Sequence, residues 1–252
     1  MSDARPFEIL PAIDLRGGRV VRLRQGDFDR ETAFSDDPVD IAGSFAAVGA
    51  SWIHVVDLDG ARVGVRAHKD VIAAILVGLR DRARIEVAGG LRDETAVADV
   101  LESGATRAVI GTAALQDPAF AGRLVSKHGA DRIAVAIDVR GGRAIGHGWA
   151  ASAAGLNPVN AIERLADVGV TTFEVTAIDR DGLLAGPDLA LYERVIELDR
   201  GAIIASGGIA SLGDLADVRA RGCAGAILGR ALYEGRLDLA TVIDWGKAGD
   251  AR

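Results

Sequence analysis

Two glycine-rich segments that lie half a chain apart constrain the fold more than any other feature of this sequence. Each segment contains a glycine pair followed by a single glycine: Gly89, Gly90 and Gly111 in the first, and Gly207, Gly208 and Gly229 in the second. In both segments 22 residues separate the first glycine from the last, and the two copies are 118 residues apart in a chain of 252. A repeat of this length spans whole strand–helix units and predicts two similar halves.

Short apolar runs alternate with longer amphipathic stretches along the chain, the pattern of parallel strands joined by helices. Such alternation fits an open doubly wound sheet or a closed barrel. Eight units in about 250 residues is the usual size of a barrel, and two equal halves favour closure. We therefore predict an α/β fold, a single (β/α)8 TIM barrel over residues 1–252 with a two-fold half-barrel repeat. The predicted strands cover residues 7–14, 52–58, 84–89, 107–111, 133–139, 171–178, 202–206 and 224–229.

Composition limits the core and the partners. Hydrophobic residues make up 49% of the chain and aromatic residues only 4%, which indicates an aliphatic core like that of buried parallel strands. The net charge of −7 argues against a nucleic-acid surface, which needs a basic field, but a local cluster of donors can still bind a phosphorylated ligand. The lone Cys223 excludes an internal disulfide framework and is expected to be a small core residue.

The N-terminus and the apolar runs bear on where the protein works. Residues 1–14 lack the basic segment and long apolar segment of a signal peptide. No run approaches the roughly 18 apolar residues that a membrane helix needs. We therefore expect a cytoplasmic protein that binds neither membrane nor nucleic acid, and we expect a monomer.

The repeated glycines suit the binding of phosphate. A glycine at a strand end lets the backbone approach an anion closely, and the helix that follows offers free N–H groups and the positive end of its dipole. Two matched cradles predict a ligand with two phosphates at opposite ends, to which Thr112 adds a hydroxyl and Arg230 a charge. The alternative is that the glycines only make structural turns. If they bind phosphate, aspartate in place of Gly89 or Gly207 should mainly raise KM.

Three aspartates are candidates for proton transfer. Asp14 ends the first strand in LPAID and Asp138 ends the fifth in AVAID, and these strands face each other in a ring of eight. Two carboxylates that point at one ligand from opposite sides suit general acid and base catalysis. Asp181 precedes Gly182 in the loop after the sixth strand, where it is either a turn residue or an acid delivered by loop closure.

Five further residues are candidates for the walls of the site. Thr176 ends the sixth strand and is placed to hydrogen-bond the substrate, unless it serves only as a β-branched strand residue. Asp57 ends the second strand and is assigned to supporting the substrate site, while His54 is a satisfied interior histidine or a site-wall residue. Among the arginines of the first loop we select Arg22 as the one that reaches the ligand. Trp149, in a glycine-rich loop, is expected to stack on a heteroaromatic base or to pack in the core.

Several absences restrict the chemistry. No His, Cys and Asp cluster has the spacing of metal ligands, so no metal is expected. No GxGxxG stands between a strand and a helix and no Walker sequence is present, so no dinucleotide or nucleoside triphosphate is implied. No lysine ends a strand, which argues against a Schiff-base enzyme. The sequence thus predicts an enzyme without cofactors.

Together these segments resemble the ProFAR isomerases of histidine biosynthesis, the phosphoribosylformimino-5-aminoimidazole carboxamide ribotide isomerases. The resemblance covers residues 9–245 and rests on ILPAIDLRGGRVVRLRQGDFD, HVVDLDGA, GGLRD, IGTAAL, AIDVRGGRA, DRDGLLAGPDL, IASGGI and GRALYEGR taken jointly. It implies a TIM barrel that catalyses an Amadori rearrangement of a bisphosphorylated ribonucleotide. In this reaction an aminoaldose becomes an aminoketose on one of two phosphoribosyl arms, without metal or cofactor.

The resemblance also implies roles for individual residues. Asp14 matches the general base that removes the C2 proton, and Asp138 matches the residue assigned as general acid. Asp181 matches a loop aspartate that can instead open the ribose ring by protonation, so the identity of the acid stays open. Thr176 matches a threonine near the reacting centre, and the glycine cradles match two phosphate sites.

Departures from the family pattern define the alternatives. Ala177 stands where the family usually has aspartate, and His147 stands where dual-substrate relatives carry an arginine, which speaks against a second activity on phosphoribosylanthranilate. The cyclase subunit of imidazole glycerol phosphate synthase shares the barrel, but it usually opens with Cys-Leu-Asp, whereas this chain has Ala12, Ile13 and Asp14. A ligand sensor without catalytic activity is the third alternative.

Overall fold

The computed structural model describes residues 6–146 and 155–250. They form one sheet of eleven strands, eight of which are parallel and follow each other around a ring. The strands are β1 (Glu8–Arg16), β2 (Arg19–Arg24), β3 (Asp27–Ser35), β4 (Trp52–Asp57), β5 (Arg84–Ala88), β6 (Arg107–Ile110), β7 (Ile133–Arg140), β8 (Arg143–Ile145), β9 (Thr172–Ala177), β10 (Ala202–Ser206) and β11 (Gly225–Leu228).

Helices follow the barrel strands and cover their outer faces. They are α1 (Pro38–Ala47), α2 (Leu58–Val63), α3 (Lys69–Gly78), α4 (Glu94–Glu102), α5 (Thr112–Gln116), α6 (Pro118–His128), α7 (Pro158–Ala166), α8 (Leu189–Ile196), α9 (Leu212–Ala220), α10 (Arg230–Tyr233) and α11 (Leu239–Asp250), with a 3₁₀ turn at Ala130–Arg132. None of them, within the described ranges, is long and apolar enough to cross a membrane.

The barrel closes where the last strand meets the first. In the parallel register between β1 and β11, Glu8 lies beside Gly225 and Pro11 beside Leu228. On its other side β1 pairs with β4. The predicted (β/α)8 barrel is therefore confirmed, and each of the eight predicted strands appears within two residues of its expected bounds.

Additional strands extend β1 and β7 beyond the barrel. In the first loop the chain forms a hairpin, in which β2 runs antiparallel to β1 and places Val21 beside Asp14. The sequence did not predict β3, whose nine residues are mostly polar and half-buried or exposed. A shorter antiparallel strand, β8, lies in the same way against β7. These extensions rise at the carboxyl ends of β1 and β7, where Asp14 and Asp138 lie.

The core has an outer layer and an inner one. Outward-facing side chains of the strands pack against the helices in one large aliphatic cluster, which includes Cys223 as predicted. Inside the barrel a smaller cluster consists of Leu10, Ala12, Trp52, Ile204 and Ile227.

Helix starts differ in a way that matters for the site. The helices that follow the glycine pairs are capped by side chains: Asp93 accepts a hydrogen bond from Ala96 N, and Ser211 forms a capping box with Asp214. By contrast, α5 and α10 begin directly after Gly111 and Gly229 without a side-chain cap. A helix start without a cap leaves its first amides available for an anion.

Candidate active site

A cavity opens at the carboxyl ends of the barrel strands, where the chemistry of such barrels takes place. Strand ends from around the whole ring contribute to its wall, and the loops after them form its rim. Fifteen of the predicted site residues line it: Asp14, Arg22, His54, Gly89, Gly90, Gly111, Thr112, Asp138, Thr176, Asp181, Gly182, Gly207, Gly208, Gly229 and Arg230. The structure thus brings both glycine segments and all three candidate aspartates to one cavity.

Two predicted residues are not placed there. Trp149 lies outside the described residues, as does His147. Asp57 is fully buried and does not line the cavity, because the backbone N–H groups of Gly60, Ala67 and His68 donate to its carboxylate at 2.8, 2.6 and 2.9 Å. Asp57 thus supports the loop after β4, and its role in supporting the substrate site stays a prediction.

Asp14 is held by a buried arginine. Arg22 Nη1 lies 2.6 Å from Asp14 Oδ2, its other terminal nitrogen donates to the carbonyl of Ala12, and the guanidinium stacks 4.8 Å from the ring centre of Tyr233. Burial lowers the pKa of Arg22, but the charge of Asp14 and the other nearby acidic groups outweigh it, so the net shift is upward. Arg22, predicted to reach the ligand, therefore lines the cavity mainly as the partner that orients Asp14.

The pKa of Asp181 is higher than that of an ordinary aspartate. Burial raises its pKa to about 7, and the charges of Asp14 and Asp138 raise it while that of Arg22 lowers it. The backbone of Asp181 is fixed, since its N–H donates to Ala177 O at 3.0 Å and its carbonyl accepts from Gln25 N at 3.1 Å. Near neutral pH a large fraction of Asp181 carries a proton, so the site contains a carboxylic acid beside the Arg22-paired Asp14.

The glycine pairs are needed for packing as well as for access. Gly89 and Gly207 have positive φ, and a Cβ at Gly207 would lie 2.6 Å from the carbonyl oxygen of Ala177. A Cβ at Gly89 would collide in the same way with the carbonyl of Asp57. The structural-turn alternative therefore holds in part for these glycines, because each lets a loop cross closely over the end of the preceding strand.

The single glycines Gly111 and Gly229 have a different environment. The nearest atom to a Cβ at Gly111 would be Ala136 Cβ at 3.8 Å, and the nearest at Gly229 would be the Arg22 guanidinium at 3.2 Å. Both stand at the uncapped starts of short helices and line the cavity. The best-placed anion donors are therefore these helix starts, while Arg230 donates to Gly182 O at 2.6 Å and pairs with Glu234.

Arg92 also lines the cavity, and the sequence reasoning missed it. Its Nη2 donates to Ala61 O at 2.9 Å, so the side chain arches over the loop after β4. Aligning the two glycine segments offers a signal, because Arg92 corresponds to Ala210 in the second copy. At this position the first half of the barrel has a charged side chain and the second half does not.

Beneath the candidate aspartates lies a buried charged cluster that the sequence reasoning also missed. His54 Nδ1 lies 2.5 Å from Glu86 Oε1 and 3.7 Å from Glu174 Oε2, and Arg107 Nη2 lies 2.5 Å from Glu86 Oε2. One ligand atom each from His54, Glu86 and Glu174 lies within 4.8 Å of the other two. Because His54 and Glu86 are at hydrogen-bond distance and Arg107 takes the second oxygen of Glu86, this is a hydrogen-bonded ion cluster; the absence of a metal stays a prediction.

Comparison with known proteins agrees with this geometry. The model of the family described as "Histidine biosynthesis protein" matches residues 8–238. Curated relatives named 1-(5-phosphoribosyl)-5-((5-phosphoribosylamino)methylideneamino)imidazole-4-carboxamide isomerase include one from Roseiflexus castenholzii, 47% identical over 92% of this chain and 97% of its own length. Those from Symbiobacterium thermophilum and Rhodospirillum rubrum are 45% and 44% identical, over 94% and 93% of this chain and 96% and 97% of theirs. The chain therefore belongs to the histidine biosynthesis protein family and, within it, to the imidazole-4-carboxamide isomerases.

Proposed function

We propose that the protein isomerises a substrate with two phosphoribosyl groups by acid–base catalysis, with Asp14 as the base and Asp181 as the acid. The name of the relatives gives a substrate of this kind, and two phosphates match two glycine cradles. The observation that carries the assignment is the contrast between the two carboxyl groups: Asp14 is paired with Arg22, whereas the pKa of Asp181 is about 7. Groups in such different environments divide naturally into base and acid.

The rearrangement requires only proton transfers from these side chains. Protonated Asp181 gives its proton to the ring oxygen of the ribose, the C1–O bond breaks, and the nitrogen lone pair forms the C=N bond of an open-chain iminium. Asp14 then takes the C2 proton, and the electrons of that C–H bond form an enaminol, which becomes the aminoketose when C1 is protonated and the C2 hydroxyl loses its proton. Each step is within the reach of one positioned acid and one base.

Asp138 has an electrostatic part in this scheme. Its charge is among those that raise the pKa of Asp181. Asp138, which the family resemblance matches to the general acid, thus keeps the neighbouring acid protonated. The two cradles hold the ends of the substrate, and this remote binding energy orients its middle between the carboxyl groups.

A turnover assay tests the proposed function against its alternatives. The purified protein, given the bisphosphorylated isomerase substrate, is expected to form the aminoketose without ammonia or a second protein. Product formation only with ammonia would indicate the cyclase, and binding without turnover would indicate the sensor. Turnover of phosphoribosylanthranilate would add the second activity that His147 speaks against.

The pH dependence of kcat/KM reports the acid. Because the pKa of Asp181 in the free protein is about 7, we expect kcat/KM to fall as pH rises above this value. Asp138→Asn removes a negative charge near Asp181, so the pKa should fall and the alkaline limb should move to lower pH. If the limb stays in place in Asp138→Asn, the assignment of Asp181 as the acid is contradicted.

Gly111→Asp tests the phosphate cradle of the first half. A carboxylate at the uncapped start of α5 repels a phosphate and takes its amides, so we expect KM to rise roughly tenfold or more with little change in Tm. Gly43→Asp is the matched control, because it adds the same charge on α1, where a Cβ meets nothing within 4 Å. An unchanged KM in Gly111→Asp would remove this helix start from the substrate site.

A further inference from the structure

The buried cluster beneath the catalytic carboxylates lies one layer deeper in the barrel. In the strand register His54 lies beside Ala12 on one side and Glu86 on the other, and Glu86 lies beside Arg107. Asp14 follows Ala12 by two residues on β1, and Thr176 follows Glu174 by two residues on β9. Because alternate residues of a strand share a face, this charged layer forms the floor under the reacting groups.

Ionised groups in a barrel interior are costly unless they are paired. Glu86 is paired with Arg107, whose Nη2 and Nε lie 2.5 and 2.8 Å from Glu86 Oε2. Arg107 Nη2 also lies 3.4 Å from Glu8 Oε2. His54 Nδ1 takes the second oxygen of Glu86. Glu86 is thus held between a cation on each oxygen, which depresses its pKa to about 2 despite complete burial.

Glu174 is the member of the cluster that has no close ion pair of this kind. It is 2% exposed and lies against the cavity, and its Oε1 has no hydrogen-bond partner among the described residues. The other oxygen, Oε2, is 3.7 Å from His54 Nδ1, so two carboxyl groups flank one imidazole nitrogen.

The charges around the imidazole favour its protonated form. The acidic groups that act on it are Glu174 from β9, Glu86 from β5 and Asp14 from β1, while the Arg107 guanidinium from β6 contacts Glu86. Burial lowers the pKa of His54, but Glu174 and Glu86 outweigh it and raise the pKa to about 9. With Nδ1 engaged by Glu86, the remaining donor of a charged ring is Nε2, and the His54 side chain lines the cavity.

We propose that Glu174 is a positioning residue that acts through His54: with Glu86 it keeps the imidazole charged and oriented, so that Nε2–H faces the substrate below Asp14. A positive donor at this place stabilises the negative charge that develops on the C2 oxygen in the last step, when the enaminol hydroxyl loses its proton and C1 is protonated. The inference rests on the proposed function, since it gives His54 a contact with the reacting arm.

A titration of His54 tests the proposal without substrate. The ¹⁵N chemical shifts of the histidines are followed against pH in the full-length protein, and His54→Gln assigns the His54 signals. We expect the midpoint of His54 to lie near 9, and Glu174→Gln to lower it by about one unit, a tenfold change in proton affinity. Glu8→Gln is the matched control, because Glu8 contacts Arg107 but not His54, and the midpoint should stay unchanged.

The kinetic arm asks whether the reaction uses this charge. In the wild type the decline of kcat/KM with pH should become steeper near pH 9, where His54 loses its proton. In Glu174→Gln this steepening should occur at lower pH. Glu8→Gln should behave like the wild type. Glu174→Met repeats the test if the glutamine variant has a lowered Tm. A His54 midpoint that Glu174→Gln leaves in place overturns the proposal. A midpoint that moves without a change in the pH profile overturns the role in the reaction and leaves Asp14 and Asp181 unaffected.

Discussion

Asp14→Asn is expected to lower kcat on the order of 10²- to 10⁴-fold while KM stays within a few-fold of the wild type. Asparagine has nearly the same shape and can accept a hydrogen bond, but it cannot take the C2 proton. The proposed phosphate cradles lie at Gly111 and Gly229, which line the cavity and do not involve this side chain. Steady-state kinetics with the bisphosphorylated substrate, together with binding to the inactive variant, measures both quantities.

The same substitution removes the counter-charge of a buried guanidinium. Arg22 is 8% exposed, and its Nη1 would face a neutral amide, which we expect to cost about 1–3 kcal/mol of folding stability. Asp59→Asn is a suitable control, because the Asp59 carboxylate also contacts a basic side chain, His68 Nε2 at 2.8 Å, yet Asp59 does not line the cavity. It should retain nearly normal kcat, and a nearly normal kcat in Asp14→Asn would show that the base is another group.

Gly207→Ala is expected to destabilise the fold by about 2–5 kcal/mol before it affects catalysis. The backbone at Gly207 has a φ of +96°, which an L-residue adopts at a cost of about 1–2 kcal/mol. The added methyl group would also lie 2.6 Å from the Ala177 carbonyl oxygen, so the loop after β10 must move away from β9. Thermal unfolding should show a Tm lower by about 5–15 °C.

Gly111→Ala is the matched control for this prediction. Its Cβ meets only ordinary contacts, the nearest at 3.8 Å from Ala136 Cβ, so Tm should change little. The pair of variants revises an expectation drawn from the sequence, that aspartate at Gly89 or Gly207 mainly raises KM. Unchanged stability in Gly207→Ala would mean that the loop over β9 adapts freely, and the original expectation would then stand.

Strand-end residues were the part of the site that the sequence predicted well. Asp14, Asp138 and Thr176 close apolar runs, and in a parallel barrel every such position meets the others at one face. The glycine segments reached the same face because their spacing places each glycine directly after a strand. For these residues the local pattern and the closure of the ring are sufficient.

The charged floor could not be found in this way. Glu86 and Glu174 stand inside apolar strands, where a single carboxylate looks like an outward-facing residue or an irregularity. Their meaning depends on His54 and Arg107, which come from other strands. Likewise the sequence could not show how Asp57 is bound, because the amides that saturate its carboxylate belong to residues 60, 67 and 68 in the following loop.

The amino-acid sequence alone determined the eight alternating units, the two-fold repeat and the set of groups at the mouth of the barrel. These follow from periodicity and spacing, which are properties of neighbouring residues. The tertiary structure alone decided which aspartate keeps its proton, which glycines are required for packing, and that a buried histidine lies between two glutamates. Protonation and close approach depend on burial and on charges from distant strands, and these exist only once the ring has closed.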